Sequence, residues 1–144
     1  MEQSTTVDIA AAPERVWEVL TDVEYWSEWT KSVRWVRRLD EGPLRAGSSA
    51  KISQPKIPTV DWVVTELEPV DHFTWVSSGL GARTTARHSV EPLPGGGTRV
   101  RLSVEQGGWL GSLVGRAYRG LTERYLAMEA AGLKRRCEGT EGER

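Results

Sequence analysis

Few side chains in this chain could do chemistry, and they are scattered. Among 144 residues there are two histidines, His72 and His88, and one cysteine, Cys137. His88 lies in the run Arg83 to Glu91, where alternation puts it on one side with Ala86 and Val90. A histidine on such a face can serve as a general acid or base near neutral pH. The more ordinary reading is a wall residue whose ring donates to a backbone carbonyl, since no partner carboxylate is evident. Gln54 follows Ala50 and Ile52 at a spacing of two. It could orient a ligand carbonyl or hydroxyl, or bond to the loop bounded by Pro55 and Pro58. Tyr118 and Tyr125 stand seven residues apart and so share a helical stripe with Leu121. Their hydroxyls could enter a cavity and protonate an enolate, or could sit at the rim of ordinary helix packing. His88 and Tyr118 are thus the candidate catalytic pair. Trp29, Trp35, Trp62 and Trp75 offer flat apolar walls to a ring system or acyl chain. Arg83, just after Gly81, could guard a pocket mouth and pair with an acidic ligand group.

What is missing narrows the chemistry. His72 falls in a turn, and the histidines and cysteine show no metal-ligand spacing, so no metal or other cofactor is expected. Gly95-Gly96-Gly97 lies between two strand patterns and reads as a hairpin, not a phosphate loop. No nucleophile elbow is present. The net charge of −1 gives no overall pull toward nucleic acid or anionic membrane. No apolar window approaches a membrane-spanning length, and the first residues lack a signal-peptide pattern. One cysteine cannot form an intrachain disulfide. A cytoplasmic protein, monomer or homodimer, is the expectation.

Something must position these residues, and the patterning supplies it. Gln3 to Ala10 alternates as a first strand. Pro13 opens a helix, where its missing donor is no loss and its fixed φ fits. Val16, Trp17 and Leu20 form one helical face. A second short helix carries Tyr25, Trp26 and Trp29, and Trp29 is the member expected to touch a ligand. From Val33 the period turns to two. Strands are expected at Val33–Leu39, Ala50–Gln54, Val60–Leu67, Phe73–Ser77, Arg83–Glu91 and Thr98–Glu105. From Trp109 to about Cys137 the spacing predicts one long helix with an apolar stripe of Leu110, Leu113, Val114, Ala117, Tyr118, Leu121, Tyr125 and Met128. Glu129 falls with Arg116, Arg119, Glu123 and Arg124 on the other side. Residues 1–137 make a single domain, and 138–144 a polar, disordered tail.

The residues also resemble a family. Ala11-Ala-Pro-Glu-Arg-Val-Trp17, Leu20-Thr-Asp-Val23 and Trp26-Ser-Glu-Trp29 are similar to the opening of the polyketide cyclase/dehydrase group of the SRPBCC, or START-like, superfamily. Ala46-Gly47-Ser48, Gln54-Pro55, Trp62 to Pro69, Phe73-Thr-Trp75, Arg87 to Pro92 and Gly97 to Val100 continue the likeness. The resemblance implies an α+β helix-grip fold. In it a curved antiparallel seven-stranded sheet wraps a long C-terminal helix, in the order β-α-α-β6-α. It also implies a hydrophobic small-molecule partner, such as a lipid or polyketide, held between sheet and helix. The alternative it implies is a cyclase or aromatase moving protons through a pocket His or Tyr. The proton-transfer residues of such enzymes do not map onto this sequence.

Overall fold

A computed structural model describes residues 2–79 and 81–139. β1 (Glu2–Ile9) leads into α1 (Pro13–Thr21) and a 3-10 helix (Val23–Glu28). Six strands follow: β2 (Trp35–Arg38), β3 (Ser49–Gln54), β4 (Ile57–Glu68), β5 (His72–Gly79), β6 (Ala82–Pro92) and β7 (Thr98–Gly107). Two helices close the chain, α2 (Gly111–Ala117) and α3 (Arg119–Glu138). The strands form one antiparallel sheet in the order β1-β7-β6-β5-β4-β3-β2. Hairpins link β2 through β7 in sequence, and β1 returns to pair with β7, so the N-terminal helices sit beside the sheet without breaking its order.

Alternation decides which face is inside. Val100 and Leu102 on β7 are buried while Arg99 and Arg101 are exposed. Val100 pairs with Val90 and Leu102 with His88, so β6 presents Ala86, His88 and Val90 to the same side. Phe73 opposite His88 and Trp75 opposite Ala86 extend that face onto β5. Helix α3 covers part of it with Leu126, Ala130 and Leu133, which join the sheet residues and Val16, Leu20 and Val23 in one core.

One turn departs from expectation. Residues 55–58 make no loop: Gln54 pairs with Ile57 across a Pro55-Lys56 turn, and Pro58 lies within β4. Lys56 has φ +66°, which suits a type II turn with proline at its first corner. The β4–β5 turn repeats the device, with Pro69 followed by Val70 at φ +58° and Asp71 N–H donating to the Glu68 carbonyl at 3.0 Å.

The expected single C-terminal helix is two. It breaks at Tyr118, which takes a non-helical conformation between α2 and α3. Helix α3 continues to Glu138, one residue into the expected tail. There the Glu138 carboxylate accepts from the Ala10 N–H and the Lys134 ammonium, each at 2.7 Å. Lys134 also donates to the Asp8 carbonyl at 2.8 Å, so the end of α3 is fastened to β1. Residues 140–144 of the expected tail lie outside the described residues.

Helix α3 meets the 3-10 helix at Gly132, where a Cβ would lie 1.9 Å from the Trp29 carbonyl oxygen. Only a glycine fits that crossing. Among the described residues no helix is long and apolar enough to cross a membrane.

Candidate functional site

Between sheet and helices lies a cavity of about 550 Å³. β4, β5 and β6 supply one wall through Trp62, Trp75, Ala86 and His88. Trp26 of the 3-10 helix closes one side, and Val114 of α2 with Thr122, Tyr125, Leu126 and Glu129 of α3 forms the opposite wall.

An aromatic cluster holds His88. Its imidazole stacks on Phe73 with centroids 4.1 Å apart and planes 10° from parallel. Trp26 and Trp75 flank it at 5.6 and 5.8 Å. Nδ1 lies 3.1 Å from the Phe73 carbonyl oxygen, which can only accept. The ring therefore carries its proton on Nδ1, and Nε2 is an acceptor. Burial disfavours the imidazolium and pushes the pKa down to about 4, against a smaller upward pull from the Phe73 carbonyl. At neutral pH His88 is uncharged.

A polar cluster stands on α3. The Ser32 hydroxyl donates to Glu129 Oε2 at 3.1 Å. Thr30 Oγ1 is 2.8 Å from the Ser32 oxygen, and Gln54 Nε2 donates to the Ser32 carbonyl at 3.2 Å. Burial raises the Glu129 pKa to about 7, with the Ser32 bond pulling weakly the other way. Among the described residues no cation offsets the carboxylate. Beside this cluster the Tyr125 hydroxyl donates to the Pro55 carbonyl, tying α3 to the β3–β4 turn. Trp62 lines the cavity with its indole N–H buried and without an acceptor among the described residues. No group of metal-ligating side chains occurs among the described residues.

The family model described as polyketide cyclase / dehydrase and lipid transport matches residues 2–138. The chain belongs to this family. Solved structures share its fold. A hypothetical protein from Helicobacter pylori superposes with a TM-score of 0.83 at 15% identity, over 96% of this chain and 88% of that one. The Zhui aromatase/cyclase from a Streptomyces species gives 0.71 at 15% identity, covering 94% of each chain. A Thermus thermophilus protein gives 0.72 at 22% identity, over 93% and 94%. No curated protein sequence matches.

Within this member of the cyclase/dehydrase and lipid-transport family, the cavity gathers His88, Gln54, Trp62, Trp75, Tyr118 and Tyr125. Four other candidates lie elsewhere. Trp29 is buried in the core, behind Trp26. Trp29 stands just past the 3-10 helix as its C-terminal cap, and its ring and carbonyl lie against Gly132 of α3. Trp35 is 37% exposed and lies under the Arg37 guanidinium, 5.2 Å away, on the outer face. Arg83 has the outward parity of β6, between the cavity residues Ala82 and Thr84. Leu121 is half-buried and outside the cavity lining, where Thr122, four residues after Tyr118, takes the inward place.

Trp26 and Glu129 are among the cavity residues absent from the sequence candidates. The signal for Glu129 was present. Tyr118, Thr122, Tyr125 and Glu129 follow at steps of four, three and four, a continuous helical stripe. Choosing apolar residues at each step selects Leu121 and Met128 instead and assigns Glu129 to solvent.

Proposed function

We propose that the protein binds a hydrophobic small molecule, a ring system or acyl chain, in the cavity between the sheet and the C-terminal helices. The observation that carries this reading is the cavity itself, with aromatic and aliphatic walls interrupted by a few polar groups. Burial of a ligand's apolar surface supplies roughly 25 cal/mol per Å² before association costs are met. His88 Nε2 and the Gln54 amide serve orientation. At a pKa of about 4 the imidazole is a weak base at neutral pH, so a hydrogen-bond acceptor suits it better than a proton carrier. The family's description, which includes lipid transport, supports the same reading.

Native mass spectrometry of the purified protein should reveal co-purifying apolar mass. A protein that is empty, and that shows no thermal shift with a panel of lipids and polyketides, would sink the proposal.

One observation favours a second reading, a cyclase-type enzyme. Glu129 has its pKa at about 7 inside the cavity, where a carboxyl can both give and take a proton. The aromatase/cyclase among the structural neighbours supports it. In this reading the walls fold a poly-β-ketone so that two carbons approach, and Glu129 with Tyr118 moves protons. Turnover of a poly-β-ketone thioester that Glu129→Gln leaves unchanged would remove Glu129 from such a mechanism.

A further inference from the structure

Among the described residues Glu129 is a carboxyl without a counter-charge, in a cavity wall that carries no lysine or arginine. Its hydrogen bonds are polarised toward the anion. The Ser32 N–H donates to Thr30 Oγ1 at 3.3 Å. Ser32 directs its own hydroxyl proton to Glu129 Oε2, so the Thr30 hydroxyl must donate to the Ser32 oxygen. The chain Thr30 to Ser32 to Glu129 thus delivers a proton donor to Oε2, a geometry made for carboxylate. Oε1 meets no donor among the described residues. Further acceptors stand nearby, Nε2 of His88 and the oxygen of Tyr125, whose proton goes to Pro55; against them the wall sets neutral donors, the Trp62 indole N–H and the Gln54 amide. Around them stand the rings of Trp26, Trp62 and Trp75, whose faces attract cations. Neutral donors can serve either kind of guest, but the one group in this wall able to carry charge at neutral pH is a carboxylate, which with the indole faces favours a base over an acid.

We propose that the cavity is built for an apolar molecule bearing a basic amine, with Glu129 as the carboxylate that receives the ammonium group. This rests on the ligand-binding reading and deepens it by naming the ligand's polar end. An ammonium placed at Oε1 supplies the charge partner missing among the described residues, and it relieves the cost of a lone, partly buried carboxylate. A fatty-acid carboxylate placed there would meet like charge.

Three probes of equal chain length test this: decylamine, 1-decanol and decanoate, titrated at pH 7.5 against intrinsic tryptophan fluorescence. Decylamine is expected to bind at least ten-fold tighter than decanoate. In Glu129→Gln its affinity should fall at least ten-fold, while that of 1-decanol stays within three-fold. Circular dichroism would verify the fold of the variant, and the wild-type comparison stands without it. Decanoate binding as tightly as decylamine, or an amine affinity untouched by Glu129→Gln, would overturn the amine proposal; binding of 1-decanol would then still uphold the cavity reading. If none of the three binds, both readings fall together.

Discussion

His88 and Glu129 respond to pH in opposite directions, and the signs can be worked out. His88 titrates near 6.5 when unfolded and at about 4 when folded. Between those values the unfolded chain binds the extra proton, so stability falls as pH drops from 6.5 to 4, by up to about 3 kcal/mol. Glu129 titrates near 4.5 when unfolded and at about 7 when folded. There the folded chain holds the extra proton, so stability falls as pH rises from 4.5 to 7, by a similar amount of up to about 3 kcal/mol. In the shared window the two slopes cancel, and the wild-type protein should be nearly indifferent to pH. Glu129→Gln removes one of them. It should stabilise the protein at pH 8 and expose the loss due to His88 on acidification. Denaturant midpoints from pH 8 to 4 would check this, and a variant with the wild-type profile would contradict it. Neither effect was legible in the sequence. Parity placed His88 on an inward face, but only the packed Phe73 ring and carbonyl reveal its tautomer, and only the fold brings Ser32 to Glu129.

At the scale of elements, strands were legible and helices less so. β6 and β7 announce themselves because every second residue is apolar, and their register follows from matching those faces. Helix α3 lacks such segregation, since its inward stripe includes Thr122 and Glu129, polar groups that a cavity tolerates and a packed core would not. The 55–58 turn is hard to read from sequence because proline usually bounds strands, whereas here Pro58 is the second residue of one. That turn offers a test. Lys56 sits at φ +66°, where an L-residue is disfavoured, so Lys56→Gly should raise stability by about 0.5 kcal/mol, visible as a small upward shift in Tm. Gly132 offers the opposite. Alanine there would raise helix propensity, yet its Cβ would collide with the Trp29 carbonyl. Gly132→Ala should cost about 2 kcal/mol or more, read as a lower denaturant midpoint. A neutral result would mean that α3 can lift from the 3-10 helix.

For the whole molecule, ligand binding and stability are linked. A 1-decanol concentration a hundred times its Kd should add about 2.7 kcal/mol and raise Tm by about 8 °C. The rise should continue with the logarithm of concentration, and a plateau near saturation would show that the unfolded chain binds the probe too. The sheet order and the covering helix follow from patterns spread along the chain, which is why the family likeness reached the fold. The interior does not follow, because a cavity is made by what side chains fail to fill, and no single segment encodes that. The seat at Gly132 therefore has a practical meaning for anyone redesigning this scaffold. It is the bolt that fixes the far half of α3, with Lys134 and Glu138 fastened to the strand beside it. Libraries meant to admit new guests should leave that half alone and vary Val114, Thr122 and Ile57, where the walls are made by side chains and not by backbone pressed against backbone.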